Sequence, residues 1–268
     1  MEFYLKSILL GIIQGITEFI PVSSSGHLVL AQHFLAFESP DIIFEILVHF
    51  GTLLSVIIYF RKDITRLIFS LAPVSEITET RRADHKTLLY LLVGTIVTGI
   101  LGFLFQAEIR QLFARPLFAA SMLLVTGTVV FLSDYIPPRR LDIHQTGLFR
   151  SIIIGVSQAF AIIPGISRSG MTITAGMTTG LKRDAAARFS FLLAIPAILG
   201  ATIFDIRSLN SIERAFVPGY ILGMLAAFIS GYLVIALLMK LISKRRLKIF
   251  GIYCWVVGLS VIFLLIRG

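Results

Sequence analysis

The sequence predicts an all-α integral membrane protein. It reads as an inverted repeat in which each half is a re-entrant helical hairpin followed by three transmembrane helices. Three observations predict this. Apolar residues gather in six long runs. Two further apolar segments are each broken near the middle by a Pro-, Ser- and Gly-rich bend. The two bends repeat one another at a fixed offset.

The runs come first. Of 268 residues 56% are hydrophobic and 15% charged, against about 45–50% apolar and 25% charged in soluble domains. The excess sits in 42–60, 88–105, 116–133, 185–204, 216–239 and 249–266, each near the roughly 20 residues that an apolar helix needs to cross a bilayer. This pattern excludes a soluble enzyme, a disordered chain and a nucleic-acid-binding domain. The expected surroundings are membrane lipid, with no nucleic acid partner. The single cysteine, Cys254, excludes an intramolecular disulfide and a cysteine-based metal site. It and Trp255 read as packed or lipid-facing.

Segments 5–37 and 147–181 do not fit a simple span. The first breaks at Pro21-Val22-Ser23-Ser24-Ser25-Gly26. The second breaks at Pro164-Gly165-Ile166-Ser167-Arg168-Ser169-Gly170. Each half-segment is marginal or too short to cross alone, so both segments read as re-entrant hairpins. Irregular backbone at that depth is tolerated only inside protein or beside a watery cavity. The first segment is not expected to be a cleaved leader: Glu2 offsets Lys6, and Gln14 and Glu18 interrupt its apolar stretch.

The repeat fixes the organisation. Gly11, Gln14, Ser23, Ser25 and Gly26 recur 144 residues later as Gly155, Gln158, Ser167, Ser169 and Gly170. One membrane domain therefore divides into halves 1–134 and 135–268. Loops placed on alternate sides put 17 of the 24 lysines and arginines on one face, in 61–86, in the flanks of the second hairpin and in 240–248. Cationic loops mark the cytoplasmic side. Both termini and the mouth of the first hairpin then face outward, and the second hairpin opens inward. The two broken tips meet near the midplane.

Few ionisable groups fall within the apolar segments, and such groups are costly there unless they function. Glu18 and His27 lie on the first hairpin, Arg168 on the second, Glu45 and His49 on the first span. Gln14 and Glu18, four apart, share a helix face and would turn their oxygens to one place. One carboxylate with neutral oxygens suits Mg²⁺, which commonly takes the rest of its shell from water and phosphate. Arg168 lies among Ser167, Ser169 and Gly170, whose backbone N–H groups can approach an oxyanion at the start of a half-helix, and a guanidinium grips phosphate bidentately. Ser23, Ser24 and Ser25 offer hydroxyls beside His27, a proton carrier. The set suits phosphoryl transfer. Arg168 could instead serve as the structural partner of Glu18. Glu45 and His49 read equally well as packing or chemistry. His33, His85 and His144 are given no role.

Gln14-Gly15-Ile16-Thr17-Glu18 with Val22-Ser23-Ser24-Ser25-Gly26-His27, and Pro164-Gly165-Ile166-Ser167-Arg168-Ser169-Gly170-Met171-Thr172, resemble the two signature motifs of the bacterial undecaprenyl-diphosphatase family of the bacitracin-resistance type. The resemblance covers essentially the whole chain. It implies an inner-membrane enzyme that hydrolyses undecaprenyl diphosphate, recycles the carrier lipid of peptidoglycan synthesis and confers bacitracin resistance, with its site open to the periplasmic side. It implies a divalent cation, Mg²⁺ first and Ca²⁺ second, and the spacing above makes Glu18 and Gln14 its expected ligands; the first motif position, often Glu in the family, is Gln14 here, which counts against a pair of chelating carboxylates. It carries the functional roles to Glu18, Ser24, His27 and Arg168, with Ser167 and Thr172 near the phosphate; Ser23, Ser25, Ser169 and Gly170, beside them in the two bends, are expected to bind substrate as well. The polyprenyl diphosphate lipid is the implied partner, and a homodimer is an admissible assembly. A histidine-nucleophile lipid phosphatase is disfavoured, because no histidine follows Ser167-Arg168. An inverted-repeat lipid transporter or flippase is the alternative that the fold alone would allow.

Overall fold

The computed structural model describes residues 1–37, 43–72, 78–205, 214–243 and 246–267. Lys244 and Arg245, counted among the loop cations above, lie outside them. The described residues form helices, one 3₁₀ turn at Ile143–Gln145, and a single isolated bridge between Leu141 and Leu181.

The six runs become helices: α3 (Ile43–Tyr59), α5 (Glu79–Leu104), α7 (Pro116–Ser133), α10 (Arg183–Asp205), α11 (Val217–Ser243) and α12 (Lys248–Arg267). Five are long and apolar enough to cross a membrane. The sixth, α3, reaches that length only together with α4 (Arg61–Phe69), which leaves it at 74° after a break. Neither α4 nor α6 (Gln106–Phe113) is marked by a long apolar run; both are short amphipathic helices at the ends of spans. The bundle is apolar outside as well as inside. Leu89, Leu92, Ile96, Ile100 and Phe103 line one exposed face of α5, and Ile252, Val256, Leu259 and Phe263 one of α12. In water such patches would drive association; against lipid they are the expected exterior. The chain is a multi-pass membrane protein.

Each broken segment is a helical hairpin: α1 (Glu2–Phe19) with α2 (Ser24–Phe34), and α8 (Gly147–Phe160) with α9 (Arg168–Thr178). The open end of the first is closed by aromatic rings, with Phe3 stacked on Phe37 at 5.2 Å and against Phe216 at 4.9 Å. The open end of the second is closed by Arg150, whose Nε donates to the Thr179 carbonyl at 2.8 Å. That second end is also the charged end of the bundle. Arg66 pairs with Asp84 at 3.0 Å, Arg188 with Asp63 at 3.5 Å and Arg183 with Asp134 at 2.7 Å. Asp134 also accepts the Lys248 amide at 2.8 Å. The cations of 61–86, of the second hairpin's flanks and of the start of α12 therefore gather at one end, and the first hairpin enters from the other.

Small residues bring helix axes close, as membrane helices require when no hydrophobic force separates protein from lipid. An added Cβ at Gly11 would lie 2.2 Å from the Gly223 carbonyl oxygen, and one at Gly251 2.6 Å from that of Gly127. The first contact locks α1 on α11; the second locks α12 on α7. Phe19, fully buried, packs edge-on against Phe191 of α10. The hairpin tip beside Glu18 is thereby anchored in the main core, with Val56, Phe60, Phe189 and Ile235.

Candidate active site

The two tips are built alike. Ser23 caps α2, its Oγ accepting from the Gly26 amide at 3.2 Å. Ser167 caps α9, its Oγ accepting from the Gly170 amide at 3.0 Å. In each tip the capping hydroxyl also meets the serine two residues on, at 3.3 Å in both Ser23–Ser25 and Ser167–Ser169. The bends differ. Ser23 itself sits at φ +70°, a left-handed conformation that costs a non-glycine residue about 1–3 kcal/mol and turns the serine run back into the protein. In the second tip Gly165 takes the turn at φ +91°, where a Cβ would strike the Ala119 carbonyl oxygen at 2.2 Å. Thr126 of α7 clips this bend from outside, donating to the Gly165 carbonyl at 2.7 Å and accepting the Ser167 amide at 2.9 Å.

Glu18 is where the tips join. It is 6% exposed. Its Oε1 accepts from Arg168 Nη2 at 2.7 Å, across 150 residues of sequence. Its Oε2 accepts from Ser24 Oγ at 2.5 Å and from Gln14 Nε2 at 2.8 Å, with His49 Nε2 at 3.9 Å. A buried carboxylate survives only when paired and hydrogen-bonded, and this one is both. The pairing of Glu18 with Arg168 foreseen as a structural alternative therefore exists, but it uses one guanidinium nitrogen. Arg168 Nη1 is buried and has no partner among the described residues. An unsatisfied buried donor on a cation is expensive, and an incoming anion would relieve it.

Gln14 requires a correction. Its oxygen does not converge with those of Glu18; its amide nitrogen donates to the carboxylate, because an ionised carboxylate can only accept. Gln14 Oε1 is left buried and partnerless among the described residues. Beside a carboxylate, that orphan oxygen fits the hard oxygen donors that Mg²⁺ and Ca²⁺ take. The described residues contain no group of three His, Cys, Asp or Glu that could hold a metal unaided, so phosphate and water oxygens would have to complete any shell.

His27, 9% exposed, lies one turn into α2. Its Nδ1 meets the Ser23 carbonyl oxygen at 2.8 Å and its Nε2 the Tyr253 hydroxyl at 3.0 Å. No hydrogen bond joins it to Ser24, whose proton points at Glu18. Thr172 stands a turn behind the tip, its hydroxyl donating to the Arg168 carbonyl at 2.8 Å and meeting Ser190 Oγ at 2.6 Å. It steadies the arginine's helix turn and does not face Glu18.

The whole chain can be compared with known proteins. Residues 7–260 match the family model described as bacitracin resistance protein BacA. The chain belongs to the BacA family. Among its relatives, the undecaprenyl-diphosphatase of Methanobrevibacter smithii is 43% identical over 96% of each chain, and that of Desulforapulum autotrophicum is 41% identical over 97% of each. Undecaprenyl-diphosphatase 1 of Bacillus licheniformis is 42% identical over 96% of this chain and 97% of its own.

In this BacA-family chain the structure thus joins Gln14, Glu18, Ser24 and Arg168 in one network. It sets Ser23, Ser25, Ser167, Ser169 and Gly170 in the two tips and leaves His27 adjacent but separately bonded. Three neighbours carried no strong sequence signal. Thr126 and Tyr253 are isolated polar residues in apolar spans. His49 was visible only as an ionisable group in the first span, and its ring is held by the Glu45 backbone carbonyl at 2.7 Å, not by the Glu45 carboxylate. The carboxylate accepts from Gln32 Nε2 at 2.5 Å instead.

Proposed function

We propose that the chain hydrolyses undecaprenyl diphosphate with one water to undecaprenyl phosphate and inorganic phosphate, recycling the lipid carrier of peptidoglycan synthesis and so conferring bacitracin resistance. One observation carries the assignment of the site: a buried guanidinium nitrogen with no partner among the described residues, on an arginine whose other nitrogen is tied to a buried carboxylate already hydrogen-bonded to a serine. An anion-hungry fork next to a nucleophile with its proton acceptor is what cleavage of a phosphoanhydride needs. The relatives' names supply the substrate.

In this reading Arg168 Nη1 and the amides at the start of α9 hold the terminal phosphate. Glu18 takes the proton of Ser24 as its oxygen attacks phosphorus. The bond to the bridging oxygen breaks, and undecaprenyl phosphate leaves. His27 then handles the proton of the water that releases phosphate from the serine. A divalent cation, Mg²⁺ with Ca²⁺ as the second candidate, would be held through Glu18, and through Gln14 once its amide turns so that Oε1 in place of Nε2 faces that carboxylate. When bound it neutralises charge on the diphosphate. Ser23, Ser25, Ser167, Ser169 and Gly170 shape the phosphate cradle, and Thr172 supports it through Arg168.

We place the chain in the inner membrane with the basic end cytoplasmic and the first hairpin opening outward, where the carrier diphosphate is left after glycan transfer. The halves 1–134 and 135–268 are read as an inverted pair. What supports this is the segregation of the loop cations and the entry of the hairpins from different ends. A homodimer is the assembly to be looked for. Phosphate release from undecaprenyl diphosphate by the purified protein in detergent, with and without a chelator, tests the activity and the metal together. No release under any metal condition refutes the activity. Undiminished release in chelator removes the metal.

A further inference from the structure

We propose that Tyr253 on α12 is a positioning residue for His27, fixing both the tautomer and the aim of its imidazole; the proposal rests on the phosphatase reading above. The argument starts with Nδ1. Its partner at 2.8 Å is the Ser23 backbone carbonyl oxygen, which can only accept, so Nδ1 carries a proton. The ring is nearly enclosed, and among the described residues the Arg168 guanidinium pairs with Glu18 while no carboxylate pairs with His27. A charged imidazolium would stand there without an anion, so the ring is neutral and Nε2 is a bare acceptor. The Tyr253 hydroxyl, 3.0 Å away, donates to it. The rings are also parallel, 8° apart with centroids at 5.6 Å, so the phenol limits rotation as well as capping the lone pair.

Two consequences follow for the reaction. The Nδ1–H form is the less favoured tautomer of a free histidine side chain, and here two bonds enforce it. The lone pair that must handle a proton is held in one direction, on the Tyr253 hydroxyl of α12. Tyr253 is 44% exposed on the outer face of the bundle. It can therefore swing aside when phosphate or water approaches Nε2, returning as the ring resets. Its hydroxyl touches neither Glu18 nor Arg168, so its effect passes through His27.

The test has two independent arms. On the unmutated protein, ¹⁵N NMR of histidine-labelled material in detergent should show His27 in the Nδ1–H tautomer, its signal assigned by loss in His27→Gln and by retention in His49→Gln, since the His49 Nδ1 also meets a backbone carbonyl. Finding His27 in the Nε2–H form overturns the proposal. In the second arm, Tyr253→Phe keeps the stack and removes the bond. Expected are at least a fivefold loss of kcat, a KM within twofold of the parent, and a mixture of His27 tautomers. A smaller loss of kcat, or an unmixed tautomer, overturns it. Should the parent release no phosphate, the functional reading fails, and the NMR arm still decides how Tyr253 holds the ring.

Discussion

Replacing Arg168 by lysine separates the two duties of its guanidinium. In the structure Nη2 is spent on Glu18 at 2.7 Å and Nη1 is buried without a partner among the described residues. Lysine keeps the positive charge, so Glu18 is not stranded, and the fold should survive with little loss. One ammonium cannot occupy both positions, however, since it lacks the planar fork. What is lost is about one hydrogen bond between charged groups, worth about 1.5–3 kcal/mol. At about 1.4 kcal/mol per tenfold in rate, kcat/KM for undecaprenyl diphosphate should fall roughly 10- to 150-fold. Arg168→Met is the contrast: it strips a buried carboxylate of its guanidinium partner, which costs about 3–5 kcal/mol of stability. Lysine should therefore melt near the parent and work slowly, while methionine should melt well below it. Phosphate release and thermal unfolding in the same detergent read both. Near-parental turnover in Arg168→Lys refutes the clamp, and an unchanged melting point in Arg168→Met refutes the claim that the ion pair holds the hairpins together.

Ser24→Ala should remove both turnover and any acid-stable phosphoserine trapped with labelled substrate; partial activity in this variant, with collapse in His27→Ala, would make water the nucleophile. Gly165→Ala puts a methyl 2.2 Å from the Ala119 carbonyl oxygen at φ +91°; it should cost about 1–3 kcal/mol through backbone strain alone and lower the melting temperature, and an unshifted melt would show that the second tip is not held as described. In a Cys254→Ser background, Ser25→Cys should react with an impermeant thiol reagent on intact spheroplasts, while Thr80→Cys, exposed at the start of α5, should react only after lysis. The reverse pattern would invert the proposed orientation.

The spans were legible because a bilayer imposes one demand on every crossing helix, a length of unbroken apolar residues, and that demand is written locally. The hairpins were legible for the complementary reason: Pro21 and Pro164 with their glycines and serines interrupt runs that would otherwise cross. Glu18, His27 and Arg168 stood out because charge in an apolar segment needs a reason. The repeat of Ser23, Ser25 and Gly26 in Ser167, Ser169 and Gly170 announced two tips of one design, and the structure returns the same caps in both.

The sequence could not say which atoms face one another. That Glu18 spends both oxygens on Arg168, Ser24 and Gln14, and that Gln14 presents nitrogen to it, depends on how α1 is seated on α11 and where Thr126 pins the second bend. The partner of His27 is 226 residues away on α12, and a lone tyrosine in an apolar helix has the same local signature whether it faces lipid or a catalytic ring. Composition and period report on the solvent that a segment meets, which is a local property. Hydrogen bonds between tips are directional and reach only about 3 Å, so only the packing that brings distant helices together decides them.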